Sequence, residues 1–276
     1  MKQGGNKGVA CKWLETLLLS HWFWSGRVSA ITAGAGRFHY YGDMMRMTSC
    51  RPFIRFVTAA SVPAAFFAVV LAAPAEAAKK AHPSFFNSVE VRSSNLKPFK
   101  KWRGALKRYS LEKKRKSKKA SCSSKRLNIC NYGDWGNFLR GLKGKDKLTQ
   151  IRAVNFRMNK AKYITDRNNW GRKDYWATPG EFMANFGDCE DYAIIKYLSL
   201  RQLGFPEEDL RVVAVKDLNL KVGHAVLIVF WADPKTGKKR SLLLDNQIKK
   251  VVASRSARHY QPVFSINKDY WWRHRS

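Results

Sequence analysis

The chain has 276 residues, and its 52 Lys and Arg residues against 20 Asp and Glu residues give a formal net charge of +32. Hydrophobic residues make up 45% of the sequence, which excludes wholesale disorder, and five cysteines are too few for a small disulfide-dense scaffold. The charge predicts an acidic partner: nucleic acid, an anionic membrane or envelope surface, or an acidic protein.

Residues 51–78 have the layout of a secretory signal peptide. Arg51 and Arg55 belong to a positive segment, an uncharged run rich in Ala, Val and Phe follows, and Ala75 and Ala77 occupy the two small positions of a cleavage site. An uncleaved membrane anchor is the alternative. Two prolines interrupt the run and many of its residues are only alanine, so we expect cleavage near Ala77.

A signal peptide normally begins a chain, so a Met residue just before this segment is a candidate for the true start. Removing the first 78 residues takes away eight basic and three acidic residues and leaves a net charge of +27, so the excess charge belongs to the exported part. We predict an over-extended start or a disordered extension at 1–43, a signal peptide at 44–77, and a single exported domain at 78–276.

Export changes how the cysteines are interpreted. In an oxidising compartment Cys122 and Cys130 are expected to pair across a short loop, although two free thiols are the alternative. Cys189 would then be the odd thiol of a secreted chain, which marks it as a candidate reactive group.

The elements that follow predict an α+β domain. Apolar residues at helical spacing come first, and runs rich in β-branched and aromatic residues come later. The last two runs are separated by a turn-rich segment, which predicts a hairpin. One helix packed on an antiparallel sheet is therefore the expected core. In chain order the predicted elements are a short helix around 102–109, helices within 135–163, a loop at 166–179, a helix at 189–203, and strands at 210–218, 224–231 and 241–247.

Three residues of this pattern can carry cysteine chemistry together. Cys189 opens the central helix, His224 opens the second strand, and Asp245 lies near the end of the third. A helix N-terminus and a neighbouring imidazolium both stabilise a thiolate, and a carboxylate can orient the imidazole. Each residue alone is more often structural, but their order on these elements favours a Cys-His-Asp triad.

The runs GDCEDYAIIKY (187–197), GHAVLIV (223–229) and LLLDNQ (242–247) resemble the bacterial transglutaminase-like cysteine proteinases (BTLCP), a group that includes LapG-type periplasmic adhesin proteases. The resemblance covers nearly all of residues 85–265. It implies a papain-like or transglutaminase-like fold, with Cys189 as nucleophile, His224 as general base and acid, and Asp245 as orienting carboxylate. An oxyanion-hole donor is also required, and the Cys189 backbone N–H is a candidate.

The same resemblance implies calcium dependence. The carboxylates of the family would fall on Asp188, Glu190 and Asp191 of this sequence. Ca²⁺ prefers several oxygen ligands, and three carboxylates crowded at one helix start repel one another unless they are neutralised. The alternative is that they cap the helix and complement its dipole.

The leading functional hypothesis is a periplasmic, monomeric cysteine endopeptidase that cleaves a large acidic surface adhesin and so affects biofilm attachment. The resemblance also implies an inner-membrane receptor that sequesters the protease, and export argues against a nucleic-acid partner. One alternative is a transglutaminase-type acyl transferase, which would use the same triad. The other is a basic envelope-binding module with a vestigial triad.

Overall fold

The computed structural model describes residues 85–86, 88–115 and 129–275. The predicted signal peptide and N-terminal extension lie outside the described residues, as does Cys122. None of the helices in the described part is long and apolar enough to cross a membrane.

The described chain begins with a strand, continues through helices and ends in a run of strands, as expected for an α+β domain. The helices are α1 (Lys100–Arg115), α2 (Ile129–Leu142), α3 (Lys147–Met158), α4 (Asp166–Trp170), α5 (Pro179–Asn185) and α6 (Cys189–Gln202). The strands are β1 (Val89–Ser93), β2 (Leu210–Asp217), β3 (Val222–Ala232), β4 (Lys239–Leu244), β5 (Val252–Ala253), β6 (Tyr260–Ile266) and β7 (Trp271–Arg275).

The strands form one antiparallel sheet in the order β1-β7-β6-β2-β3-β4-β5. The predicted hairpin is confirmed: β3 and β4 pair from Leu227 with Leu244 to Ala232 with Lys239. The central strands β2 and β3 are buried along most of their length, because helices cover one face and a second apolar cluster fills the other.

Four strands were not predicted, and they form much of the sheet outside the centre. β6 contains Pro262, which disfavours a strand in a sequence reading, and the ladder between β2 and β6 shifts register at Val215. β7 alternates the exposed residues Arg273 and Arg275 with the buried residues Trp272 and His274, so it lacks a continuous apolar run. β1 pairs with β7, and β6 pairs with β2, across long stretches of sequence, and local patterns carry little signal for such pairings.

Helix α6 is the centre of the helical layer. Every residue from Cys189 to Leu200 is buried, whereas the sequence pattern indicates one apolar face. The helix packs on β2 and β3 on one side and on α3 and α5 on the other. It ends before Gly204, whose φ of 82° suits the left-handed conformation that follows a helix. A helix buried all round is held in place by its neighbours and gives its first turn a fixed position.

Leu227 tests how strongly this core holds the sheet. It is fully buried in the core cluster and lies on β3 between β2 and β4. We expect Leu227→Ala to lower the free energy of unfolding by about 2–5 kcal/mol, because it removes buried methyl groups and leaves a cavity. Urea denaturation measures the change. Leu111→Ala is the control, since Leu111 lies on α1 and is 44% exposed; equal losses in the two variants would contradict the assignment of the core.

Candidate functional site

The turn before α6 is too tight for a side chain at Gly187. A Cβ at this position would lie 2.1 Å from Asp191 Oδ2, which real atoms do not tolerate. The preceding residue, Phe186, has a φ of 61°, in the left-handed region that few non-glycine residues adopt. Asp188 follows as the residue before the helix, and its backbone N–H donates to Asp191 Oδ2 at 3.3 Å. The conformation of the Gly-Asp-Cys run is therefore held by Asp191, a residue in the first turn of the helix that follows.

Cys189 is the first residue of α6 and is completely buried. Its Sγ lies 3.1 Å from Glu190 Oε2. In this structure Cys130 and Cys189 are both disulfide-bonded, so Cys189 is not the odd thiol that the cysteine count predicts. The pairing of Cys130 with Cys122 stays a prediction, because Cys122 lies outside the described residues. A nucleophilic role for Cys189 requires the sulfur to be reduced.

The structure brings His224 and Asp245 together. His224 is the third residue of β3, and its Nε2 lies 2.9 Å from Asp245 Oδ1, with both side chains almost fully buried. Asp245 lies one residue past the end of β4. The Nδ1 atom of His224 is left on the other side of the ring, where Gln247 Nε2 lies 3.5 Å away. Since α6 packs on β3, the helix that begins at Cys189 lies against the strand that carries His224.

The Asp245 carboxylate is held by several donors. Tyr260 Oη donates to Oδ2 at 2.6 Å, and the Gln247 backbone N–H donates to Oδ1 at 2.9 Å. Burial raises the pKa of Asp245, but the hydrogen bonds and charge of His224, with the donors from Tyr260 and Gln247, outweigh burial and lower it to about 2. Asp245 is therefore a carboxylate at neutral pH and can orient the imidazole.

The predicted metal residues lie in a larger acidic cluster. Asp166, at the start of α4, has a ligand atom within 4.8 Å of those of Asp188 and Asp191. It forms a second such group with Asp174 and Glu190. Sequence reasoning missed Asp166 and Asp174, because it read their segment as a loop between helices. Their only signal was two carboxylates in that loop ahead of the Gly-Asp-Cys run.

Burial and mutual repulsion dominate the electrostatics of this cluster. Burial and the charge of Asp188 raise the pKa of Asp166 to about 7. Burial raises the pKa of Asp188 to about 6, and burial with the neighbouring carboxylates raises the pKa values of Glu190 and Asp191 well above their ordinary values.

The donors within the cluster do not satisfy all of its oxygens. Backbone N–H groups of Tyr175 and Ala177 donate to Asp166 and Asp191, respectively, and Lys101 pairs with Asp174. Among the described residues, Oδ1 of Asp166 and Oδ1 of Asp174 are buried without a hydrogen-bond partner. Crowded, undersatisfied carboxylate oxygens fit a hard divalent cation.

Residues 108–273 match the sequence model of the family described as bacterial transglutaminase-like cysteine proteinase BTLCP. The match spans more than half of the chain, and the chain therefore belongs to this family. Its helices, its antiparallel sheet and a cysteine at the start of a buried central helix are those of a transglutaminase-like cysteine peptidase.

The chain is also similar to solved structures of LapG from Legionella pneumophila. One is 30% identical over 60% of this chain and 87% of that chain, with a TM-score of 0.48. The calcium-bound form gives the same values. The EGTA-treated form is 30% identical over 61% of this chain and 86% of that chain, with a TM-score of 0.49. No match was found among curated proteins.

Tyr260→Phe tests the support of Asp245. The folded-state pKa of Asp245 lies at about 2, below the ordinary 3.8, so its contribution to stability is complete above about pH 4 and is lost as the pH falls through 2. The variant loses a hydrogen bond to a charged group, and we expect it to unfold more easily by about 1.5–3 kcal/mol at pH 7. This difference should narrow below about pH 3.

Urea denaturation at pH 7, 4 and 2 measures both effects. Tyr192→Phe is the matched control, because Tyr192 Oη donates to a neutral acceptor, the Ala161 carbonyl, at 2.7 Å. It should cost about 1 kcal/mol, and its cost should not track the titration of Asp245. A Tyr260 variant as stable as the parent protein at pH 7 would contradict the assigned support.

Proposed function

We propose that Cys189, His224 and Asp245 form the catalytic triad of this peptidase. The observation that carries the proposal is the buried contact of 2.9 Å between His224 Nε2 and Asp245 Oδ1, on the sheet against which the Cys189 helix packs. Asp245 holds the Nε2 side of the ring, so Nδ1 is the atom that exchanges a proton with the sulfur. This is the division of roles that a nucleophile, a base and an orienting carboxylate require.

The reaction follows from these roles. Once reduced, Cys189 transfers its proton to His224 Nδ1, and the sulfur attacks the carbonyl carbon of the scissile peptide. The carbonyl oxygen becomes an oxyanion, and the Cys189 backbone N–H at the start of α6 is our candidate donor to it. The imidazolium then protonates the leaving amine, the C–N bond breaks, and a thioester remains. His224 finally removes a proton from water, whose oxygen attacks the thioester carbonyl carbon. The C–S bond then breaks, the acid is released, and the proton on His224 returns to the Cys189 sulfur.

Substitution of the three residues tests the triad. In the presence of a reductant, we expect Cys189→Ala to abolish cleavage of an acidic adhesin fragment, because no nucleophile remains. His224→Ala and Asp245→Asn should lower kcat/KM by about 10³-fold or more. Cys130→Ala is the control, since Cys130 is an exposed residue of α2, and it should retain most of the activity in reductant.

The same variants separate the alternatives. Retained cleavage in Cys189→Ala would refute the triad. Incorporation of a labelled amine without hydrolysis would identify a transglutaminase-type acyl transferase. If the parent protein and the variants all fail to cleave but bind anionic polymer equally, the basic envelope-binding module is the better description.

We propose that the acidic cluster binds Ca²⁺. Asp188, Glu190 and Asp191 are the predicted ligands, and Asp166 and Asp174 complete the candidate donor set. The support is chemical: the five carboxylates crowd together, and buried oxygens of three of them, Asp166, Asp174 and Asp188, lack hydrogen bonds within the described chain. When bound, the ion would neutralise this charge. It would also tie the 166–174 segment to the turn that positions Cys189.

Calcium binding can be tested without an activity assay. At a concentration of about 100 times Kd, the ion stabilises the folded chain by about 2.7 kcal/mol, which raises Tm by about 5–10 °C. We expect this rise in the parent protein after EGTA treatment and calcium addition. It should be lost in Asp166→Ala and kept in Asp134→Ala, whose carboxylate is exposed on α2. An identical calcium response in both variants, or none in the parent protein, would contradict the site; cleavage should also fall in EGTA.

The setting of the reaction is part of the proposal. A signal peptide at 44–77 would deliver the domain to the periplasm, where a large acidic surface adhesin is the proposed substrate, and its cleavage would release attached cells. The net charge of +27 over residues 79–276 would steer such a substrate to the enzyme. An inner-membrane receptor that sequesters the protease is the proposed regulator, and the enzyme is proposed to act as a monomer.

A further inference from the structure

A cavity of about 260 Å³ is lined by residues of α2, α3 and α5, and the mechanism above gives it no role. Its apolar lining comes from the ends of α3 and α5 and from the residues that follow them: Met158, Ala161, Phe182, Met183 and Phe186. Cavities that enclose a whole small molecule are usually larger, about 300–1,000 Å³. A cavity of this size and lining therefore fits a single large apolar side chain.

The walls of this cavity are attached to the segments that carry the proposed catalytic residues. The Phe182 ring packs edge-on against Tyr192, at the end of the first turn of α6, with 5.0 Å between the ring centres. Tyr192 Oη donates to the Ala161 carbonyl at 2.7 Å, so two walls of the cavity contact the same tyrosine. Asn159 lies between two lining residues and donates from Nδ2 to the Asp245 carbonyl at 2.7 Å. The cavity therefore lies next to the nucleophile turn and to the segment of the orienting carboxylate.

Phe186 links the cavity to the nucleophile. It lines the cavity and comes three residues before Cys189. Its φ of 61° and ψ of −155° lie in a region that is essentially reserved for glycine. This backbone is held on both sides, because its N–H donates to the Phe182 carbonyl at 2.7 Å and its carbonyl accepts from Asn169 Nδ2 at 3.2 Å. The strained residue nevertheless leaves 37% of a large apolar side chain exposed, a combination that is typical of binding sites.

The charged residues of the lining give the exposed side of the cavity a net positive charge. Two exposed basic residues, Arg157 and Lys160, line the cavity together with one exposed acidic residue, Asp134. The Lys160 ammonium lies 4.4 Å from the ring centre of Phe156, a residue of α3 that is 63% exposed and does not line the cavity. A carboxylate beside the enclosed apolar side chain would be attracted to this charge, which matches the acidic substrate proposed above.

We propose that this cavity is a substrate subsite, which binds a large apolar side chain near the scissile peptide and prefers an acidic residue beside that side chain. The proposal rests on the peptidase function proposed above and names the class of segment that the enzyme selects. The apolar side chain leaves water and packs among two methionines and two phenylalanines, and methionine adapts to side chains of different shape. The acidic neighbour pairs with Arg157 or Lys160 at the surface. Met158, Met183 and Phe186 are then specificity-determining residues.

Peptide binding to the Cys189→Ala protein tests the subsite without catalysis. The probe is acetyl-Ala-Leu-Asp-Ala-amide, and ¹³C-methyl NMR of the methionines reports where it binds. We expect the Met158 and Met183 methyl signals to shift as the peptide is added. A peptide with Ala in place of Leu should bind about 10–100-fold more weakly, because most of the apolar area that the cavity encloses is lost. A peptide with Asn in place of Asp should bind about 2–5-fold more weakly at low salt, because the ion pair at the surface is lost.

Variants of the lining separate a subsite from a surface feature. Ala161→Leu fills part of the cavity and should weaken binding of the Leu peptide by about 10-fold or more. Phe156→Ala is the matched control, since it removes an exposed ring outside the cavity and should leave binding unchanged. Arg157→Gln should reduce the preference for Asp over Asn, whereas Arg152→Gln, at an exposed position of α3 outside the cavity, should retain it. If Ala161→Leu does not fold, Met183→Trp fills the same cavity from α5.

The kinetic test uses the protein with Cys189 intact. Ala161→Leu should raise KM for the adhesin fragment more than it lowers kcat, because the subsite contributes to binding and leaves the triad in place. Methionine signals that do not shift, or equal affinities for the Leu and Ala peptides, would overturn the proposal. A failed triad proposal is recognised separately, because peptide binding is measured in a protein that lacks the nucleophile and does not depend on cleavage.

Discussion

The site depends on one constraint, the burial of helix α6 on all sides. Because every residue from Cys189 to Leu200 is enclosed, the first turn of the helix cannot move without disturbing the core. That turn carries Cys189 and two of the clustered carboxylates, with Asp188 directly before it. The same packing that stabilises the domain therefore sets the geometry of the proposed chemistry, and no flexible loop is needed to hold the nucleophile.

Burial also makes the charges of the helix interact strongly. The acidic cluster around the start of the helix opposes negative charge on the Cys189 sulfur, whereas the helix N-terminus and the proposed base His224 favour it. A divalent cation at the cluster would remove the opposing effect, and this links the proposed ion to the nucleophile through charge as well as through the shape of the turn.

The sequence predicts the central helix, its cysteine and the hairpin, but it predicts few of the surrounding residues that complete the site. The run from Gly187 to Tyr197 identifies the helix and its cysteine, and the β3–β4 hairpin follows from two short runs of β-branched and aliphatic residues. The residues that the sequence does not predict reach the site through contacts between distant segments. Asp166 and Asp174 join the cluster only because the 163–164 backbone pairs with Gly187, with the Ile164 N–H donating to the Gly187 carbonyl at 2.9 Å.

Tyr260 shows the same limit. It lies on β6, whose Pro262 argues against a strand when only the sequence is considered. No neighbouring residue in the sequence indicates that the Tyr260 hydroxyl supports Asp245. The sequence places Lys196 within a helix, but an amphipathic pattern predicts that a lysine lies on the solvent-exposed face. Only the packing of α6 between the sheet and α3 and α5 turns it into a buried charge. The features that distinguish this site are thus the charged residues that burial makes costly, and the structure is needed to recognise them.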